Sequence, residues 1–342
     1  MTDYELICDF QSLYEAHKNA RRCKRHKADV IAFEMDLANN LWDIKRRLES
    51  KTYKVGEYNK FMIHDPKDRE IQALKYSDRV IQHSLCDNVL TPFFEKRLVY
   101  DNCACRKDKG THFGMNRLSG FMQEYYKRHG SDGWILKADV RKFFPSINHE
   151  VLLSRLRRII PDRDVMNLLE EIVSSWNKES GVGLPMGNMT SQLFGLYYLD
   201  PIDRLVKEKL QIKPYTRYMD DMVLLHKNKE YLQETLLQMQ EMCDNKLKLE
   251  LNEKTQIFPI RHGVDYLGWH FYLTDTGKVV KKLRTQNKQR IKRRMKKLAA
   301  EYANGRISVE EIERSIVSTK GHLSHGNTYH LKKKIYKELL LD

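Results

Sequence analysis

Tyr215-Thr-Arg-Tyr-Met-Asp-Asp-Met-Val-Leu-Leu225 reads as strand, tight acidic turn, strand. Apolar runs on both sides place adjacent carboxylates, Asp220 and Asp221, at the tip of a hairpin. Unpaired buried charges cost several kcal/mol each, so two neighbouring aspartates here are not core. A hard divalent cation would relieve their repulsion, because Mg2+ prefers one or two carboxylates together with substrate phosphates and water. Two-metal phosphoryl transfer requires that arrangement, with ions roughly 3.5–4 Å apart clamping the attacking and leaving oxygens. A solvated Asp-Asp turn is the competing explanation and the commoner fate of an isolated pair. The flanking strands and a third carboxylate far upstream, Asp139, favour chemistry.

The chain has 342 residues, enough for two or three subdomains and a substantial core. Its 61 Lys+Arg against 46 Asp+Glu leave a net charge of +15. That excess points to a polyanionic partner, nucleic acid first and a membrane surface second. Most of it falls in residues 278–342. No apolar run approaches the roughly 18 residues needed to cross a bilayer. Nor does a basic stretch followed by an apolar one open the sequence. The 6 cysteines are ordinary for a reducing compartment, and Cys103-Ala-Cys105 and Cys23 near His26 lack a second pair at zinc-ligand spacing. A cytoplasmic protein without a membrane partner is expected.

Strands and helices alternate without a regular βαβ period, which predicts an α+β fold. Helices are expected over 4–18 and 28–50, the latter with Ile31, Phe33, Leu37, Leu41, Ile44 and Leu48 inward. A strand is expected at Phe61-Met-Ile-His64, and a mostly buried one at 134–140, ending beside Asp139. Residues 181–192 form a Gly/Pro-rich turn leading into an apolar helix. In the tail, Ile291, Met295, Leu298 and Tyr302 make one apolar helical stripe. The opposite face carries Lys288, Arg290, Lys292, Arg293, Arg294, Lys296 and Lys297. Ser308 and Glu311 have the form of a capping box ahead of Val309, Ile312 and Ile316, and a last helix near Thr328 turns Leu331, Ile335 and Leu339 inward. Three helices with a strongly basic face suit a module that holds a nucleic-acid duplex by its phosphates, with a solvated charged face as the alternative.

Three segments together resemble a known family. Asp139-Val-Arg-Lys-Phe-Phe144, the Gly187-x-x-x-Ser191 turn and Tyr218-Met-Asp-Asp221 stand in the order used by reverse transcriptases of the right-hand polymerase fold. The resemblance covers roughly residues 60–275, and the tail fits a thumb. It implies an N-terminal helical extension (1–60), interleaved fingers and palm (61–275) with an antiparallel palm sheet backed by helices, and a basic helical thumb (276–342). It implies an RNA-directed DNA polymerase that takes dNTPs, an RNA template and an RNA/DNA primer duplex. Asp139 and Asp220 would hold two Mg2+ ions with Asp221 assisting, Mn2+ being able to substitute. One ion activates the primer 3′-OH and the other neutralises the leaving pyrophosphate. Lys254 matches a lysine that protonates pyrophosphate.

Phe144 matches the aromatic gate that excludes a 2′-OH; core packing competes for it, so one of Phe143 and Phe144 is expected to face the core. Lys67 and Arg69 resemble the fingertip strand, and Val140, Met186 and Gly187 join them in the nucleotide site. Arg79, Arg106, Lys109, Asn188, Ser191 and Gln192 match template- and fidelity-determining positions, plain surface charge being the alternative for the basic ones. Tyr266-Leu-Gly-Trp269 resembles the primer-grip hairpin, and Lys288, Arg290, Arg293, Arg294 and Lys297 would hold the duplex. Met186-Gly-Asn-Met-Thr-Ser-Gln192 is similar to diversity-generating retroelement enzymes, where group II intron and retron enzymes carry Gln-Gly-x-x-x-Ser-Pro. That likeness implies cDNA with frequent errors at adenines of a template-repeat RNA, diversification of a variable gene, and a small basic accessory protein. A phage-defence or unclassified bacterial reverse transcriptase, or a non-catalytic RNA-binding protein on the same scaffold, stays open on these residues.

Overall fold

The computed structural model describes residues 1–64 and 68–337. The chain opens with α1 (Asp3–Cys8), α2 (Phe10–Ala20), α3 (Ala28–Met35) and α4 (Leu37–Glu49). Thr2 and Glu5 make a reciprocal capping box on α1 while Asp9 caps α2, so the helix expected over 4–18 is two. The expected stripe over 31–48 is likewise broken at Asp36. Phe33, Leu41, Ile44 and Leu48 are buried, but Ile31 is exposed, because α3 and α4 do not share one helical phase.

β1 (Asn59–Ile63) and β2 (Arg69–Ala73) form an antiparallel hairpin. Lys67 lies outside the described residues. Next come α5 (Tyr76–Leu85), α6 (Thr91–Glu95), α7 (Thr111–His129) and β3 (Trp134–Ala138). They are followed by α8 (Phe143–Ser146), α9 (His149–Arg157), α10 (Arg163–Ser174), α11 (Met189–Tyr198) and α12 (Asp200–Arg204). β4 (Tyr215–Tyr218) and β5 (Asp221–His226) are the hairpin read from sequence, and α13 (Lys229–Glu241) and β6 (Gln256–Pro259) follow.

β4, β5, β3 and β6 lie in that order in one antiparallel sheet. Successive side chains on a strand face opposite ways. Leu136, Ala138, Met222 and Leu224 therefore join the core formed with the N-terminal helices and α9 to α13. Ile135, Val223 and Leu225 point the other way, into a second core with Tyr125, Tyr266 and Trp269. Each of the Leu, Ile, Val and Met side chains among these contributes roughly 1.5–3 kcal/mol on burial. A sheet covered on both faces explains why its strands read as near-continuous apolar runs.

β7 (Val264–Tyr266), β8 (Trp269–Leu273) and β9 (Val279–Leu283) form a second antiparallel sheet, and α14 (Thr285–Ala303), α15 (Val309–Leu323) and α16 (Tyr329–Lys337) close the described chain. Residues 276–342 are thus not helical throughout: Val279 and Val280 extend the β7–β8 hairpin by a strand before the helices begin. Met295 is buried with Ile291 and Leu298 packed beside it, whereas Tyr302 is exposed. The Ser308–Glu311 capping box is present, but α15 buries Ser315, Thr319 and Leu323 and leaves Val309 exposed. Leu331 and Ile335 pack inward, and Leu339 lies outside the described residues. Among the described residues no helix is long and apolar enough to cross a membrane.

Candidate active site

The site begins at a strained turn. Met219, between β4 and β5, has φ +54°, a left-handed conformation that side chains other than glycine rarely adopt. Arg217, fully buried on β4 two residues earlier, donates from Nη1 to the Met219 carbonyl at 2.9 Å. Its Nε and Nη2 grip Asp203 on α12 at 2.7 and 2.6 Å, and Nη2 also reaches the Leu196 carbonyl of α11 at 3.0 Å. The Tyr215 hydroxyl donates to the same Asp203 carboxylate at 2.5 Å. A buried, bidentate ion pair thereby fixes the turn that carries the aspartates to the helices behind the sheet.

Asp139 follows the last residue of β3. Its carbonyl accepts the Asn252 N–H at 2.7 Å, and the Asn252 amide donates to its Oδ2 at 3.3 Å. Burial first, and then the neighbouring Asp139 carboxylate by charge and by hydrogen bond, together raise the Asp220 carboxyl to about 6. Asp139 and Asp220 thus crowd one another. Asp221 does not complete the group: it is ion-paired with Lys137 of β3. Asp221 shares the sheet face of Val223, whose register partner is Lys137, so strand alternation brings ammonium and carboxylate together. Among the described residues no cluster of three or more His, Cys, Asp or Glu side chains could hold a metal ion. Two crowded carboxylates fit Mg2+ nonetheless, since that ion takes one or two protein carboxylates and completes its shell with water and phosphates.

A pH dependence follows with a definite sign. Asp220 is raised when folded, so the folded metal-free protein binds more protons than the unfolded one between the ordinary carboxylate value and about 6. Stability therefore falls as pH rises through that window. Thermal melts at pH 5 and 7.5 should show the decline without Mg2+. Asp220→Asn should remove most of it, and saturating Mg2+ should reverse it.

The other expected residues divide by burial. Phe143 is buried and Phe144 half-buried, their ring centroids 5.3 Å apart. Gly195 on α11 faces both: a Cβ there would sit 3.1 Å from Phe143 and 3.3 Å from Phe144. Val140 packs its side chain into the core, and the residue bridges to Leu251 by backbone. Asn188 and Ser191 are also buried, so neither side chain presents itself to a template base. In that turn Gly187 and Gln192 are exposed and Met186 half-buried. Gln72 of β2 holds it in place, its Oε1 accepting the Met186 N–H at 2.8 Å and its own N–H donating to the Met186 carbonyl at 3.0 Å. Gly187, at φ +123°, lies so close that a Cβ would be 3.1 Å from Ile71.

Arg106 is engaged within the protein. Its Nε and Nη2 hold Glu95 and its Nη1 the Val99 and Asn102 carbonyls, leaving little donor capacity for nucleic acid. Lys109 likewise donates to the Tyr100 carbonyl at 2.6 Å and lies over the Tyr100 ring. Arg79 is paired with Asp29 but lines, with Gly187, Lys24, Lys27 and Lys75, a cleft of about 830 Å³. Arg69 and Lys254 are exposed, Lys254 in the turn whose Asn252 grips Asp139. Arg290, Arg293, Arg294 and Lys297 line a cleft of about 670 Å³ between α14 and α15, whereas Lys288 does not border it. Sequence reading missed Lys137, Arg217, Asp203 and Asn252. Arg217 and Lys137, charges inside runs read as buried strands, carried a signal, since a buried cation requires a partner.

Comparison with known proteins agrees with this geometry. A family model described as reverse transcriptase (RNA-dependent DNA polymerase) matches residues 59–271. Protein YkfC of Escherichia coli is 24% identical over 237 residues, covering 58% of this chain and 61% of that one. A putative COX1/OXI3 intron 2 protein of Saccharomyces cerevisiae is 23% identical over 122 residues, covering 33% of this chain and 14% of the relative. The chain thus spans less than two thirds of the length of these relatives. A structure of Candida albicans telomerase, in complex with a fragment of telomeric RNA, superposes with a TM-score of 0.50 at 12% identity. It covers 70% of this chain and 46% of that one, a likeness of fold. The right-hand arrangement expected from the sequence is therefore the observed architecture, and the chain belongs to the reverse transcriptase family.

Proposed function

We propose that this chain is an RNA-directed DNA polymerase that extends a primer with dNTPs on an RNA template. The observation that carries the proposal is the crowded Asp139–Asp220 pair at the strand ends of the central sheet, Asp220 in a turn that a buried arginine fixes. A divalent ion held there would supply charge neutralisation at the transferring phosphoryl group. The chain's own residues orient and exclude: Asn252 fixes the Asp139 carboxylate, and half-buried Phe144 supplies a wall under the sugar. The basic cleft of α14 and α15 receives phosphates of the duplex. In this reading residues 1–60 form an N-terminal extension, 61–275 the fingers and palm, and 276–342 the thumb. Phe144→Ala should relax sugar choice by roughly 10–200-fold, the range that one added group in a fitted pocket usually spans. Single-nucleotide kcat/KM values for rNTP against dNTP measure it, and an unchanged ratio removes the gate.

The finer reading is an enzyme of the diversity-generating retroelement type, error-prone at adenines and served by a small basic accessory protein. Its support is the turn at 186–192, where a methionine replaces an amide side chain and Gln192 is exposed at the start of α11. Sequencing cDNA made on a mixed-composition RNA, with and without cell lysate, tests activity and error spectrum together. Errors concentrated at adenines support diversification; a uniform spectrum in both reactions favours a defence or unclassified role. Met186→Gln should lower adenine misincorporation, and an unaltered spectrum would show that the turn does not set fidelity.

A further inference from the structure

Lys137 has no role in the reading so far, yet it is the cation in contact with the acidic cluster. It stands two residues before Asp139 on β3, and its side chain is only 20% exposed. Its ammonium pairs with Asp221 and lies 5.1 Å from the centroid of the Tyr266 ring. Asp139, Asp220, Asp265 and Arg284 are the other charges that act on it. Continuing the β3–β5 register one residue past Ala138 and Met222 sets Asp139 across from Asp221. Like charges directly opposite on neighbouring strands repel, and a third carboxylate, Asp220, adds to the strain. A lysine diagonal to Asp221 on the same face is placed to relieve it. It is not a surface ornament, because an ammonium so enclosed would cost far more than an exposed one unless held by a partner.

We propose that Lys137 is a built-in counter-ion that withdraws Asp221 from the metal-binding set, leaving Asp139 and Asp220 to hold the divalent ion. The free protein would then present two carboxylates to a cation rather than three. Full occupancy by two ions would await the phosphates of an incoming nucleotide, which bring their own ligands. Lys137 is a positioning residue in this scheme, since it acts through Asp221 and need not touch the reacting atoms. Its contact with Tyr266 also couples Asp221 to the β7–β8 hairpin, so the acidic residue is braced from the side of the second sheet.

The inference rests on Asp139 and Asp220 binding a divalent ion, and the experiment separates the two claims. Mn2+ is titrated into the free protein, without nucleotide or nucleic acid, and unbound Mn2+ is read by electron paramagnetic resonance. Asp139→Asn should abolish a site seen in the native protein. Lys137→Met and Lys137→Gln should each tighten Mn2+ binding on the order of tenfold, or add a second bound ion, because an opposing charge is gone and a carboxylate is freed. Asp221→Asn should weaken binding, since it leaves the ammonium uncompensated beside the pair. The Lys137→Met/Asp221→Asn double variant should return close to the native affinity. Thermal melting of each variant identifies any that do not fold, and Lys137→Gln serves where Lys137→Met fails. If both Lys137 variants bind Mn2+ as the native protein does, while Asp139→Asn still abolishes binding, the counter-ion role is overturned and the metal reading stands. A native protein with no Asp139-dependent Mn2+ site rejects the metal reading, and this proposal with it.

Discussion

Asp139→Asn and Asp220→Asn each lower primer extension by at least about 10³-fold, while affinity for a primer–template duplex stays near that of the native protein. The size follows from what each carboxylate does: losing several kcal/mol of charge stabilisation at a transferring phosphoryl group costs a factor of ten for every 1.4 kcal/mol or so. Binding is expected to be spared because, in the proposed function, the duplex is held by the basic cleft between α14 and α15. The two variants also report on folding in an informative direction. Asp220 is raised to about 6 by burial and by Asp139, so its ionised form is unfavourable in the metal-free fold. Replacing it with a neutral amide of the same shape should raise the melting temperature at pH 7.5 even as extension disappears. A stabilised, duplex-binding, inactive protein cannot be explained by misfolding. Asp139→Asn keeps its backbone bond to Asn252, which depends on the main-chain carbonyl and not on charge. Single-turnover extension and duplex binding on the same samples give the result. Residual extension within about tenfold of native in either variant would remove that carboxylate from the chemistry.

The sequence displayed the parts of this site that are local and hid those that depend on distant partners. The β4–β5 hairpin was legible because two apolar runs bracket two acids with no room for a helix, and Asp139 because it ends a buried run. The helices of the basic tail were legible from its apolar stripe and its capping box, although β9 was not, since Lys281 and Lys282 blend into the basic sequence that follows. Lys137 signalled a partner without naming it; that partner appears only once β5 is laid beside β3 in register. Val140, Asn188 and Ser191 show the opposite case. Their motif positions lie near the site, but what the fold needs from them is packing, and their side chains turn inward. That Arg106 is already paired was hidden, because Glu95 and the carbonyls it grips are brought to it by the loop after α6. A sequence shows which charges exist and leaves open which are already spent.

Arg217→Met is expected to be the most destabilising single change near the site. Arg217 and Asp203 are both fully buried, and removing one partner of such a pair leaves an uncompensated charge, at a cost of about 3–5 kcal/mol. Urea unfolding should register that loss. The Arg217→Met/Asp203→Asn double variant removes both charges, and because a buried ion pair can be exchanged for neutral groups at little net cost, it should recover much of the stability. It should not recover activity. Nothing in the double variant donates to the Met219 carbonyl, and Met219 holds a left-handed turn that its side chain resists by roughly 1–3 kcal/mol. With that tether gone, the turn relaxes and Asp220 leaves its place against Asp139. The expected signature is a folded protein with near-native KM for dNTP and kcat lowered on the order of a hundredfold, because a misplacement of about 1 Å in a catalytic group has that effect. Arg217→Lys probes the same tether from the other side: its ammonium can pair with Asp203 but cannot span Asp203, Leu196 and Met219 together, so it should keep more stability than activity. If the double variant extends primers at the native rate, Arg217 supports the fold and does not aim the aspartates.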